Sequence, residues 1–78
     1  MTNLEKYNNV FCENLQISDD KLAGLQYQGT ALWDSVGHMT LMAALEDAFD
    51  IMLDTDDIVD FSSYERGKEI LKKYDVEL

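Results

Sequence analysis

The chain has 78 residues, of which 46% are apolar and 28% charged, and its 16 acidic side chains outnumber 6 lysines and arginines for a net charge of −10. A domain of this size buries about 60% of the surface its unfolded chain exposes, which allows a modest core but no large catalytic cleft. The acidity disfavours nucleic-acid binding, and the apolar fraction disfavours disorder.

Leu4, Tyr7, Val10, Phe11 and Leu15 recur at helical spacing and predict a first helix from about Asn3 to Leu15, capped by Thr2 or Asn3. Cys12 falls in it and is expected to be a small buried residue. As the only cysteine it excludes an intramolecular disulfide and a tetrathiolate zinc site. Ser18 to Leu22 reads as a short helical turn. Ala23 to Trp33 has two glycines and no sustained period, so it is expected to be a long loop pinned to the core by Leu25, Leu32 and Trp33. Met39, Leu41, Met42, Leu45 and Phe49 then mark a second helix from about Ser35 to Phe49 or Asp50, about 22 Å long.

Asp54 to Asp60 combines capping and acidic residues with few apolar positions, which predicts a short third helix of a single turn. Ser62 and Glu65 have the spacing of a capping box ahead of a last helix running to about Lys73. No strand pattern competes, and there is no proline, repeat or low-complexity tract. The expected fold is all-α, a single domain over residues 1–78 built as a three- to four-helix bundle with one long crossing loop. No leader pattern opens the sequence and no apolar run is long enough to span a bilayer, so the cytoplasm is the expected compartment.

Charge is unevenly spread. Arg66, Lys68, Lys72 and Lys73 lie in the last thirteen positions, whereas Met1 to Glu65 sets thirteen acids against Lys6 and Lys21. Such a field steers the molecule toward basic partner surfaces in a salt-sensitive way, or simply keeps a small protein soluble.

Three constellations fail as reactive sites. Ser35 and His38 adjoin on one helix, but Trp33 occupies the first glycine position of a nucleophile elbow and no strand precedes it. A single histidine without a cysteine partner falls short of a metal-ligand set. Asp54, Asp56, Asp60 and Glu65 fit positions one, three, seven and twelve of a calcium loop, yet Ile58 and Val59 stand where an oxygen ligand and a glycine are needed. Met39, Met42, Met52 and Phe49 read as adaptable core, and Ala43, Ala44 and Ala48 as small residues that could open to an apolar guest.

Asp34-Ser35-Val36 is the remaining feature. A serine at a helix start is either a cap or a point of covalent attachment, where a phosphodiester would meet free backbone N–H groups and the positive end of the dipole.

These residues resemble the acyl carrier protein family of four-helix phosphopantetheine carriers. Asp34-Ser35-Val36 is similar to the family's Asp-Ser-Leu attachment motif, and Met42-Ala43-Ala44-Leu45-Glu46-Asp47-Ala48-Phe49-Asp50 is similar to the end of its second helix. The resemblance extends from the first helix to Tyr74. It implies an acyl-carrier-like bundle in which Ser35 bears a covalent 4'-phosphopantetheine arm derived from coenzyme A, with Asp34 helping a phosphopantetheinyl transferase and its magnesium ion recognise the site. It implies a non-catalytic monomer that holds acyl groups as thioesters and delivers them between an acyl-loading ligase or synthase and acyltransferases.

Val36 and Met39 would add apolar contacts near the arm, and Glu46, Asp47, Asp50, Asp56 and Asp57 would meet basic docking patches. Gly37, His38 and Thr40 depart from the acidic or small polar residues of typical fatty-acid carriers. Trp33, Gly37 and His38 look more like carriers of specialised bacterial acyl or surface-polysaccharide pathways, and partner specificity is expected to reside there. The alternative is an unmodified acidic interaction domain in which Ser35 caps the helix.

Overall fold

The computed structural model describes residues 2–78, which form four α-helices and one 3₁₀ turn with no extended strand among the described residues. The first helix, α1 (Asn3–Leu15), starts in a reciprocal capping box. Thr2 Oγ1 accepts from the Glu5 N–H at 3.1 Å, and Glu5 Oε1 accepts from the Thr2 N–H at 2.9 Å. Tyr7, Phe11 and Leu15, four residues apart, form its buried stripe. The helix ends where Gln16 adopts the left-handed conformation, with φ 55°. Cys12 is only half-buried, contrary to the expected core position. It faces the 3₁₀ turn Asp19–Lys21, where its Sγ donates to Asp19 Oδ1 at 3.1 Å. Partial burial, and then the Asp19 carboxylate, push the thiol up to about 11.

The long loop crosses to α2 (Ser35–Phe49), which leads to α3 (Thr55–Asp60) and α4 (Tyr64–Lys72). Leu25 and Trp33 anchor the loop in the core, but Leu32 is 42% exposed and anchors nothing. The loop is also held by backbone pairing to the start of α4. The Tyr27 N–H donates to Ser62 O at 2.8 Å and the Tyr64 N–H to Leu25 O at 2.9 Å, with Gln26 and Ser63 in an antiparallel bridge. That pairing holds Ser63 in extended backbone as the cap of α4, one residue on, so the expected Ser62–Glu65 box does not form. Ser63 Oγ instead accepts from the Arg66 N–H at 2.9 Å.

Aromatic rings dominate the core. Phe11 meets Trp33 edge-on at 5.5 Å and Tyr64 edge-on at 5.3 Å, and Phe61 lies against the same ring at 6.2 Å. Tyr7 donates its hydroxyl to Tyr64 O at 2.6 Å, and burial pushes its ionisation upward. An added Cβ on Gly67 would lie 2.2 Å from both the Phe61 ring and the Tyr7 hydroxyl, so α4 packs closely on this cluster because it lacks a side chain there. Leu41, Met42 and Leu45 complete the core from α2. Of the methionines expected inside, only Met42 is buried. Met39 and Met52 are 56% and 83% exposed, and Phe49 sits at the core's edge under the Lys6 ammonium.

The short α3 cannot stabilise itself and is clasped from outside. Asp57 is buried, paired with the Lys73 ammonium and accepting from the Tyr74 hydroxyl, which in turn accepts from the Asp54 N–H at 2.9 Å. The Lys73 hydrogen bond, then that of Tyr74, holds the Asp57 carboxyl below its ordinary value of 3.8. A depressed carboxylate contributes stability that is complete above 3.8 and is lost as pH falls through the lower folded value. Asp57→Asn is therefore expected to lower the urea midpoint at neutral pH. Its difference from wild type should shrink as pH is taken below 3.8, and an unchanging difference would contradict the clasp. No helix among the described residues is long and apolar enough to cross a membrane.

Candidate functional site

Asp34, not Ser35, caps α2. Its backbone is extended, and its Oδ1 accepts from the Gly37 N–H at 2.8 Å while its carbonyl accepts the first helical bond from the His38 N–H at 2.7 Å. A carboxylate there satisfies one orphan donor and complements the helix dipole, so no hydroxyl is needed. Ser35 is left as the first helical residue. Its side chain is exposed and its hydroxyl makes no hydrogen bond among the described residues. The N–H groups of Ser35 and Val36 likewise donate to no described group. A phosphoryl group carried on Ser35 Oγ would find unused amides and the positive dipole end beside it, so the residues present fit such a group.

The chain enters the helix tightly. An added Cβ on Gly37 would lie 1.8 Å from the backbone oxygen of Leu32, which a side chain cannot push aside. Gly37→Ala gains about 1 kcal/mol of helix propensity but forces this contact at a cost of about 1–3 kcal/mol, for an expected net loss of up to about 2 kcal/mol. Chemical unfolding followed by circular dichroism checks this, and an unchanged or raised midpoint would contradict it.

Trp33 and His38 turn out to be parts of one internal relay. The Trp33 indole, fully buried, donates from Nε1 to His38 Nδ1 at 2.9 Å, and His38 Nε2 lies 2.8 Å from Ile58 O. An indole N–H can only donate, so Nδ1 accepts and the proton sits on Nε2, which donates to the carbonyl. Ile58 lies near the C-terminal end of α3, where carbonyls lack intrahelical partners, and His38 supplies one. The relay thus joins the loop, α2 and α3. Both imidazole nitrogens are committed, and neither serves the Ser35 hydroxyl. Of Trp33, Gly37 and His38, where partner specificity was expected, Trp33 is buried and the other two are half-buried.

Between α2 and α3 lies an apolar groove of about 350 Å³. Ser35 and Met39 border it from α2, Ile58 and Val59 from α3, and His38 and Phe61 lie between them. Ala43 and Ala44, expected to admit a guest between helices, instead line a shallow outer depression with Asp47 and Met52. Of the expected docking residues, Val36 is 75% exposed, and Met39, Asp47, Asp50 and Asp56 are also open to solvent. Glu46 is half-buried, its Oε2 accepting from the Leu53 N–H at 2.8 Å to fold the α2–α3 connection. Asp57 is turned inward by the clasp and is not available for docking. Asp54 to Asp60 forms the start and body of α3 and not a coordinating loop.

The groove was not legible in the sequence. Tyr27 reaches it from the crossing loop and Ile58, Val59 and Phe61 from α3 and its C-terminal cap, and no periodicity links the two stretches. No model of a known protein family matches the chain, and no curated protein matches it.

Proposed function

We propose that the protein is a carrier of the acyl carrier type, modified on Ser35 with 4'-phosphopantetheine. The observation that supports it best is the free, exposed Ser35 hydroxyl on a helix that Asp34 already caps. Four helices in this order, with a long first connection and a short third helix, suit the same reading.

In a transferase-catalysed step Ser35 Oγ, losing its proton, would attack the pantetheine-bearing phosphorus of coenzyme A, breaking the pyrophosphate bond and releasing adenosine 3',5'-bisphosphate, and the Ser35 and Val36 amides would face the phosphate. The cap engages only Oδ1 of Asp34, so the carboxylate would still help the transferase and its magnesium ion recognise the site. The attached arm supplies a terminal thiol that carries an acyl group as a thioester. The folded body supplies recognition. Val36 and Met39 offer apolar contacts beside the attachment point, and Asp47 and Asp50 offer charge about 18–22 Å from Ser35 along α2 to basic patches on a loading ligase or synthase and on acyltransferases.

The competing reading, an unmodified acidic interaction domain, gave Ser35 the cap, a role that Asp34 fills. Incubation with a fluorescent coenzyme A analogue and a broad-specificity phosphopantetheinyl transferase tests the proposal. Stoichiometric labelling is expected. An unlabelled folded protein, beside a carrier control that labels fully, would overturn it.

A further inference from the structure

The groove beside Ser35 runs from exposed residues to buried ones. Met39 and Val59 stand at its open side, the latter 78% exposed, whereas Phe61 at its floor is 1% exposed. Trp33 is absent from the lining although it stacks on His38, with centroids 6.2 Å apart and planes 17° apart. The imidazole therefore stands between the groove and the Trp33 ring of the aromatic core. It is fixed in place, because turning it aside would leave both the Trp33 indole N–H and the Ile58 carbonyl unsatisfied.

The volume of about 350 Å³ is at the lower end of the ~300–1,000 Å³ typical of small-molecule sites. No Asp, Glu, Lys or Arg lines it, in a chain of net charge −10. Ser35 stands on its lip, so whatever is tethered there is held at high effective concentration beside an apolar surface. We infer, resting on the carrier reading above, that His38 is a depth stop: the groove receives a short apolar acyl group carried from Ser35 and denies a long alkyl chain entry to the core.

A chain-length series tests the depth stop without the transferase. In the full chain carrying Cys12→Ser and Ser35→Cys, the introduced thiolate displaces methanesulfinate from ethyl, butyl, octyl or dodecyl methanethiosulfonate and forms a mixed disulfide with the alkylthio group. Protection of that disulfide against a small thiol should rise by up to about fourfold per buried methylene from ethyl to butyl, then level off by octyl. Emission from Trp33, the single tryptophan, should stay constant through the series. His38→Ala should extend the rise to octyl and make Trp33 emission respond, whereas His38→Gln, which can still accept and donate, should keep the plateau. Protection that climbs to dodecyl with a Trp33 response in the His38 protein would overturn the inference, as would no protection at any length. Because Ser35 labelling is measured separately, failure of the carrier reading and failure of the depth stop are distinguishable.

Discussion

Trp33→Ala is expected to cost about 3–5 kcal/mol, the largest loss from any single truncation in this chain. Trp33 is fully buried and is the largest such side chain, meeting Phe11 edge-on at 5.5 Å and Tyr27 edge-on at 6.2 Å. Its removal leaves a cavity that these rings cannot fill without leaving their own contacts. It also leaves His38 Nδ1 without its donor, which weakens the hold on Ile58 and hence on α3. A domain of this size has roughly 4–12 kcal/mol of stability in total, so the variant should melt tens of degrees lower or fail to fold. Trp33→Phe, which keeps an aromatic ring but loses the donor, should cost less. Urea unfolding followed by far-ultraviolet circular dichroism measures both. A Trp33→Ala midpoint within about 1 kcal/mol of wild type would contradict the relay and the anchoring of the loop.

The second large effect separates Ser35 from its neighbour. Ser35→Ala is expected to abolish phosphopantetheine attachment completely while changing stability by less than about 0.5 kcal/mol, because the hydroxyl holds no other group. Asp34→Ala should do the reverse in stability, costing about 0.5–2 kcal/mol through the lost cap, and should also slow modification. Asp34→Asn keeps a capping oxygen and removes the charge. Near-native stability with slowed modification would assign the charge to transferase recognition. A loss above 1 kcal/mol in Ser35→Ala, with Asp34→Ala near neutral, would return the cap to Ser35.

What was legible in the sequence followed local rules. The bounds of α1 and α2 emerge from apolar spacing and capping residues that act within a turn, and the short α3 from a lack of apolar positions. What was hidden depended on distant partners. Glu65 makes Ser62 look the better cap until Tyr27 pairs with Ser62 from the crossing loop and Ser63 takes the cap. Glu46 and Asp57 look like two more surface acids until Leu53 and Lys73 are brought to them. Met39 and Met42 have equal hydrophobicity, and only the placement of α1 against α2 decides which is covered.

The candidate site divides the same way. Asp34-Ser35 could be placed at a helix start from sequence, but which of the two makes the cap is a matter of backbone geometry. His38 beside Trp33 carries no signal of a relay, since its second partner is a backbone carbonyl twenty residues away.

The central claim is that Ser35 is an attachment point. Its most direct measurement is the intact mass of the wild-type protein and of Ser35→Ala after incubation with coenzyme A, magnesium and a phosphopantetheinyl transferase, with fragmentation to locate any added group. The account predicts one phosphopantetheine added to wild type, mapped to Ser35, and none added to Ser35→Ala. An unmodified wild type, or an addition that persists in Ser35→Ala, would contradict it.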